Sequence, residues 1–133
     1  MARLTEAQRR FLDNPYYAVV TTIRPDGTPH NTVVWVEQAD GEVSFNTATG
    51  RAKARHLEQN RAVALIVLDP NDAYRWLSLS GTAEVTRDDA DDQIDRLSKK
   101  YTGRERYAGH KPGEDRLKVR IRLERIWPYG IEG

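Results

Sequence analysis

Hydrophobic and polar residues alternate along several segments of the chain, and this period of two predicts β-strands. The first half contains three predicted strands, at residues 16–23, 30–38 and 42–47, and the first is indicated by its β-branched and aromatic residues. The turn-forming sequences RPDGTP and ADGE separate them, and the Asp26-Gly27 pair in the first turn favours a hairpin. We therefore predict a β-meander in the first half of the chain.

Three more strands are predicted in the second half. Residues 61–69 are almost continuously apolar, which is typical of a strand buried on both faces. Residues 74–86 and 116–130 alternate instead, and each presents one apolar side. In the last segment we interpret the basic residues as the solvent-facing side of the strand: Arg116, Lys118, Arg120 and Arg122.

Short segments with helical spacing lie at residues 5–12, 49–59 and 87–101. Thr5 is placed to cap the first helix, and Asn14-Pro15 ends it. On the third helix, Ile94 and Leu97 are predicted to face the core.

The order of these elements indicates the fold class. Hairpin-linked strands followed by a helix and more strands do not form βαβ repeats, so a parallel sheet is not expected. We expect a mainly β (α+β) fold, a six- to seven-stranded antiparallel β-barrel with short flanking helices. The length is that of a single domain over residues 1–133.

The charges of the second and third predicted helices are arranged in opposite ways. The helix at 87–101 has aspartates at its start and lysines at its end, as the helix dipole favours. The helix at 49–59 has the reverse, with Arg51 and Lys53 in its first turn and Glu58 near its end. Each misplaced charge costs up to about 1 kcal/mol, and a bound anion removes that cost.

Neighbouring residues suit the same anion. Thr47 and Thr49 bring hydroxyl donors, and Gly50 lets a ligand approach the backbone. Arg51 and Arg55 lie four residues apart, so they concentrate positive charge on one helix face. The alternative is a solvated basic surface, because Arg and Lys are good helix formers. We favour a bound anion, and phosphate is the commonest kind.

Composition narrows the chemistry. The chain has no cysteine, which excludes a thiolate metal site and a cysteine nucleophile, and its net charge of +1 does not indicate a nucleic-acid partner. His30, His56 and His110 lack metal-ligand spacing, so no metal is expected. No apolar run is long enough to span a membrane, and the N-terminus lacks a signal-peptide core, so we expect a cytoplasmic protein.

The motifs of several enzyme classes are missing. No nucleophile elbow, P-loop or Rossmann fingerprint occurs. The three tryptophans lie on predicted strands, where they are more often core or interface residues than ligand platforms. A phosphate site without an acid–base or nucleophile constellation is typical of an enzyme whose cofactor carries the chemistry.

Four segments resemble the flavin-binding split β-barrels related to pyridoxamine 5′-phosphate oxidase: RPDGTPHNTVVWV, EVSFNTATGRAKARHLEQN, AVALIVLD and YRWLSLSGTAEV. The resemblance covers about residues 5–130 and is most specific at residues 43–60. Within this family the chain most resembles the small reductases that use coenzyme F420, a 5-deazaflavin. The resemblance implies a split β-barrel, a homodimer with two cofactor sites at its interface, and a small-molecule substrate.

The resemblance also implies which residues hold the cofactor phosphate. Lys53 and Arg51 would bind it, with help from Thr47, Thr49 and the backbone at Gly50. Arg55 would reach the phosphate or the carboxylates of the F420 oligoglutamate tail.

Other residues are assigned to the ring system by the same resemblance. Val33 and Trp35 would lie nearest the ring, and Phe45 and Asn46 would lead the backbone past it. Trp76, together with Tyr74 and Arg75, would come from the facing subunit and border the substrate pocket. No catalytic residue is assigned, and Tyr74, His30 and bulk water remain alternatives for the proton donor.

One departure from the family pattern bears on the cofactor. FMN-using oxidases of the family place an Arg-Lys pair at the phosphate, and here that pair is Ala52-Lys53. We therefore expect F420, with FMN as the alternative. The expected function is transfer of a hydride from the reduced deazaflavin to a quinone, enone or tetrapyrrole-like acceptor. An FMN-dependent oxidase or reductase and a non-catalytic F420 or flavin carrier are the alternatives.

Overall fold

Seven antiparallel strands and three helices are present in the computed structural model, which describes residues 2–132. The strands are β1 (Ala18–Ile23), β2 (Pro29–Val34), β3 (Val36–Ala39), β4 (Glu42–Ala48), β5 (Ala62–Asp69), β6 (Asp72–Thr86) and β7 (Arg116–Tyr129). The helices are α1 (Glu6–Asp13), α2 (Ala52–Gln59) and α3 (Ala90–Thr102). The expected mainly β, α+β fold is confirmed, and the strands form one sheet in the order β2-β1-β5-β6-β7-β4-β3.

The predicted strand at 30–38 is two strands, and the prediction of one continuous meander is wrong at this point. β2 pairs with β1 at one edge of the sheet, whereas β3 pairs with β4 at the other edge. Trp35 alone connects them. The sheet curls until its two edges meet at this residue, but β2 and β3 are not hydrogen-bonded to each other. The result is a half-barrel with a split beside Trp35.

The C-terminal turn of α3 satisfies backbone groups at the split. The hydroxyl of Tyr101 accepts a hydrogen bond from the amide of Val36 at 3.1 Å and donates to the carbonyl of Tyr16 at 2.6 Å. The ammonium of Lys100 donates to the carbonyls of Leu12 and Val36 at 2.7 and 2.8 Å. Buried backbone groups left without partners would each cost about 1–3 kcal/mol. The side chains of Tyr101 and Lys100 therefore replace the backbone hydrogen bonds that β2 and β3 do not make with each other.

The inner face of the half-barrel holds one apolar core, to which the alternating residues of every strand contribute. The two longest strands, β6 and β7, change register between Ser80 and Gly81. A Cβ on Gly81 would lie 1.9 Å from the carbonyl oxygen of Arg122, so only glycine permits this approach. Such a bulge bends a strand, and here it helps the long β6–β7 pair to curve around the core.

Within a single chain, residues 61–69 are buried on one face only, contrary to the prediction. Val63, Leu65 and Val67 are buried, but Ile66 and Leu68 on the opposite side of β5 are 37% and 43% exposed. The reason is that the half-barrel has a single core, and the helices pack mainly on other strands. The apolar outer face of β5 is therefore left in contact with solvent in a single chain.

The three helices agree with the sequence patterns at most points. Thr5 forms a capping box with Gln8, and both Ile94 and Leu97 are buried. The third helix begins later than predicted, because Asp89 adopts a left-handed conformation with φ 65° just before it. Within residues 2–132, no helix has the length and apolar character needed to cross a membrane.

We predict that Lys100 makes stability depend on pH in alkaline solution. Burial lowers the pKa of Lys100 to about 8 from its ordinary 10.5. The unfolded chain keeps this proton above the pH at which the folded protein releases it, so the free energy of unfolding should rise with pH across that window. Burial raises the pKa of Tyr101 to about 12, which acts in the opposite direction above its ordinary value of 10.0.

Urea denaturation of the wild type and of Lys100→Met between about pH 8 and about pH 10 checks this. The variant should be less stable and should lack this part of the rise. Lys99→Met is the matched control, since Lys99 is exposed and its ion pair is with Glu105, which lies in an exposed loop. Parallel curves for the wild type and Lys100→Met would contradict the prediction.

Candidate functional site

A cleft of about 200 Å³ opens beside the split, between the end of β2, the strand β4, the start of α2 and the helix α3. Six of the residues predicted from the sequence line it: Val33, Trp35, Asn46, Thr47, Arg51 and Lys53. The other lining residues are Tyr17, Val34, Ile94, Leu97, Tyr107 and Arg116. The cleft thus has an aromatic and aliphatic wall on one side and a cationic wall on the other.

The cationic wall consists of Arg51, Lys53 and Arg116. Burial lowers the pKa of Lys53 below its ordinary value, and the positive charges of Arg51 and Arg116 lower it further. Within residues 2–132, Lys53 makes no ion pair, whereas both arginines approach Glu114. Three like charges in one partly desolvated cleft repel one another, and a bound anion would relieve that repulsion.

The start of α2 is also open to an anion. Arg51 occupies the N-cap position without a side-chain cap, and the first turn of the helix contains no acidic residue. Thr47 lines the same cleft, and its buried Oγ1 has no hydrogen-bond partner among the described residues. Buried hydroxyl groups are normally paired, so the uncapped helix start and this hydroxyl together fit an anionic ligand such as a phosphate.

The aromatic wall is built around Trp35. Its ring stacks on that of Tyr101, with centroids 5.5 Å apart and an interplanar angle of 9°. Tyr107 meets the same indole edge-on at 6.0 Å. Because Tyr101 is held by its hydrogen bonds at the split, the indole of Trp35 rests on a rigid support. A planar ligand ring would find a fixed apolar surface here.

The side chain of Asn46 is hydrogen-bonded within the protein, whereas the resemblance assigned a role only to its backbone. Its side-chain amide donates to the carbonyl of Ala90 at 2.8 Å and to Oε1 of Gln93 at 3.0 Å. Its Oδ1 accepts from Nε of Arg116 at 2.8 Å. The side chain is therefore committed within the protein, where it joins β4 to α3 and orients the guanidinium of Arg116.

The structure places the remaining predicted residues outside the cleft of a single chain. Phe45 is fully buried in the core, because alternate residues of β4 face opposite ways. Thr49 accepts a hydrogen bond from the amide of Asp115, and Arg55 donates to the carbonyl of Gly50. Trp76 lies on β6, where its ring stacks on Tyr129 at 5.4 Å.

Six cleft residues were not assigned to the site from the sequence, and two of them, Arg116 and Tyr107, shape its charge and its aromatic wall. Arg116 was predicted to face solvent, which is wrong: only 6% of it is exposed, and its guanidinium lies 5.2 Å from the ring centroid of Tyr107. Tyr107 belongs to the loop between α3 and β7, which has no regular pattern. The sequence offered one indication that Arg116 is buried: it is the first residue of its strand, where Glu114 and Asn46 hydrogen-bond its guanidinium.

The candidate proton donors do not lie in the cleft of a single chain. Tyr74 is on the exposed outer face of β6. His30 lies beside His56, with ring centroids 5.1 Å apart, although the two are distant in sequence. Burial lowers the pKa of His56, whose Nδ1 is 2.9 Å from Oγ1 of Thr22. Within residues 2–132, no group of three or more acidic or histidine side chains is arranged to hold a metal ion.

The topology is that of a split β-barrel protein, and comparison with known sequences agrees. Residues 4–129 match the pyridoxamine 5′-phosphate oxidase family, and the chain belongs to that family. It is 29% identical over 126 residues to an F420H(2)-dependent biliverdin reductase of Mycobacterium tuberculosis (strain CDC 1551 / Oshkosh), covering 93% of this chain and 87% of the relative.

Solved structures show the same fold. An F420 reductase superposes with a TM-score of 0.79 at 28% identity, covering 93% of this chain and 98% of that chain. The haem storage protein HutZ of Vibrio cholerae superposes with a TM-score of 0.69 at 17% identity, covering 98% and 97% of the two chains. The second similarity concerns the fold alone.

We predict that Lys53 titrates below its ordinary pKa of 10.5 and that Arg51 contributes to this shift. Reductive ¹³C-methylation followed by NMR titration measures the pKa of each lysine, and Lys53→Arg identifies the relevant signal. Arg51→Gln should move the pKa of Lys53 upward, because it removes a neighbouring positive charge. Inorganic phosphate should also move it upward. An unchanged pKa in Arg51→Gln would show that the two cations do not share one site.

Proposed function

We propose that the protein is an F420H2-dependent oxidoreductase that acts on an unsaturated small molecule, such as a quinone, an enone or a tetrapyrrole-like compound. When bound, reduced F420 would supply a hydride to that acceptor. The observation that carries the proposal is the cationic cleft with an unpaired buried hydroxyl beside a rigid aromatic wall. The F420-dependent relative and the F420 reductase of the same fold support it.

The residues of the chain divide the work of holding the cofactor. Lys53, Arg51 and Arg116 would bind the phosphate, with the hydroxyl of Thr47 as a further donor. Val33 and Trp35 would border the ring and exclude water from one of its faces. The ring would thereby be oriented for hydride transfer to the acceptor. Arg55 would contact an anionic tail that leaves the cleft along the exposed side of α2.

FMN remains the second candidate cofactor, because the family is related to an oxidase that acts with a flavin. The cleft lacks the arginine that FMN enzymes place before the lysine, since Ala52 occupies that position. Arg116 approaches the same cleft from β7 and supplies a cation from another direction. The choice of F420 over FMN therefore rests on the relatives and on how the cations are arranged. We further propose a cytoplasmic location, where reduced cofactor is supplied by other enzymes.

We also propose a homodimer, in which the outer face of the sheet is the interface. Large apolar side chains form continuous cross-strand rows on this face. Val33 is paired with Val19 and Val19 with Ile66, while Leu68 is paired with Trp76 and Trp76 with Tyr129. Directly opposite residues of antiparallel strands point to the same side of the sheet. Exposed rows of this size are typical of a protein–protein interface.

The cleft and the apolar face share residues, which links assembly to cofactor binding. Val33 is 65% exposed and Tyr17 is 58% exposed, and both line the cleft. A second copy seated on the face would cover these side chains and would close the open side of the cleft. It would also bring its own Trp76 and Tyr74 towards the bound ring, as the family resemblance implies.

Cofactor titration tests the proposed function. F420 should bind with a change in its fluorescence, and Lys53→Ala should weaken binding roughly 10- to 100-fold, the loss expected for a charge-assisted hydrogen bond of about 1.5–3 kcal/mol. Lys111→Ala is the matched control, because Lys111 lies in an exposed loop outside the cleft. An affinity for F420 that is unchanged in Lys53→Ala would refute the assigned site.

A parallel titration with FMN separates the two cofactors, and turnover of F420H2 with a panel of quinones, enones and tetrapyrroles tests catalysis. Tight F420 binding without turnover of any acceptor would favour a carrier over an enzyme.

Light scattering coupled to size exclusion tests the homodimer. The wild type should elute as a dimer, and Trp127→Glu should shift it to the monomer, because Trp127 is a 69%-exposed residue of the apolar face. The monomeric variant should also bind F420 more weakly. Gln59→Glu adds the same charge on the exposed end of α2 and should leave the dimer intact. A monomeric wild type would refute the interface.

A further inference from the structure

A carboxylate of the protein's own lies against the cationic wall, in contact with two of its arginines. Oε1 of Glu114 is 3.0 Å from Nη1 of Arg116, and Oε2 is 3.8 Å from Nη2 of Arg51. The side chain of Glu114 is only 14% exposed, and that of Arg116 is 5% exposed. A carboxylate weakens the attraction of a cationic site for anions, so Glu114 must alter which anions the site prefers.

The backbone holds Glu114 in this position. Glu114 lies in the loop two residues before Arg116, the first residue of β7, and this short separation brings the two side chains together. The amide of Glu114 donates to the carbonyl of Lys111 at 3.2 Å, which closes the preceding turn. Further back in the loop, the amide of Tyr107 donates to Oδ1 of Asp95 at 2.8 Å and ties the loop to α3. The fold therefore holds the carboxylate against two arginines that line the cleft.

Glu114 changes what the cleft offers to an anion. It pairs with the two arginines and leaves Lys53 as the cation without a carboxylate partner within residues 2–132. An anion at Lys53 and Thr47 would also be repelled by Glu114. Coulomb repulsion is proportional to charge, so a phosphomonoester dianion meets about twice the repulsion that a phosphodiester monoanion meets.

We propose that Glu114 is a specificity-determining residue that shifts the preference of the cleft from phosphomonoester dianions towards phosphodiester monoanions. This inference rests on the proposed function, because it concerns the same phosphate site. It bears on cofactor choice through ordinary chemistry: FMN ends in a phosphomonoester, whereas F420 carries its phosphate as a diester. The discrimination between them comes from a fixed negative charge as well as from the set of cations.

Two flavin probes isolate the class of phosphate. Riboflavin 5′-phosphate and riboflavin 4′,5′-cyclic phosphate share the ring and the ribityl chain, but the first is a monoester and the second is a diester. Quenching of flavin fluorescence gives the dissociation constant of each with the wild type and with Glu114→Gln. The isosteric amide removes the negative charge and keeps a similar shape. F420 binding by the variant verifies that its cleft is folded.

Glu114→Gln should bind both probes more tightly, and the gain for the monoester should be about the square of the gain for the diester, since its charge is twice as large. Glu105→Gln is the matched control, because Glu105 lies in the same loop, is exposed and pairs with Lys99. It should leave the ratio of the two affinities unchanged. Equal gains for the two probes in Glu114→Gln would overturn the inference, and so would a failure of FMN to bind even this variant.

The same titrations separate this inference from the proposed function. If Lys53→Ala weakens both probes and F420 while Glu114→Gln leaves the monoester-to-diester ratio unchanged, the phosphate site stands and only the part assigned to Glu114 is wrong. If Lys53→Ala changes none of the affinities, the phosphate site is misassigned, and the part assigned to Glu114 fails with it.

Discussion

The passage of the chain from one edge of the sheet to the other at Trp35 is the constraint on which the rest of the structure depends. A strand that leaves its neighbour exposes backbone amides and carbonyls, which must be paired when they are buried. Tyr101 and Lys100 provide those partners, so the end of α3 is bound to the split. The cleft forms at the same place, because β2 and β3 diverge there and α3 covers the opening only in part. The closure of the barrel and the position of the candidate site therefore have one cause.

Buried polar contacts then set the electrostatics of that cleft. Asn46 and Gln93 join β4 to α3, and the same asparagine orients Arg116. The guanidinium is thereby held beside Lys53 at the start of a helix whose own dipole is positive at that end. Repulsion among these cations is offset in the isolated protein by Glu114 alone among the nearby carboxylates of residues 2–132. A cleft with this balance is suited to a ligand of modest negative charge, and the aromatic wall beside it is suited to a planar ring.

The outer face of the sheet relates the site to assembly. Its apolar rows run across β2, β1, β5, β6 and β7, and one end of the rows reaches the mouth of the cleft at Val33. A single half-barrel leaves this surface in water, at an unfavourable free energy of roughly 25 cal/mol for each Å² of apolar area. In the proposed homodimer, burial of this area and completion of the cofactor site would be the same event.

The sequence by itself determined the fold class, most strand and helix positions and the cationic character of the candidate site, since these depend on local periodicity and on charges adjacent in the chain. The reversed charges of the segment from Thr49 to Asn60 were readable because a helix dipole acts on its own first turn. Only the tertiary structure decided that residues 30–38 divide at Trp35 and that Asn46 serves Arg116. It also decided that Arg116 enters the cleft and that Glu114 pairs with the two arginines there. These contacts join residues from β4, β7 and a loop without pattern, and long-range pairing leaves no periodic trace in the local sequence.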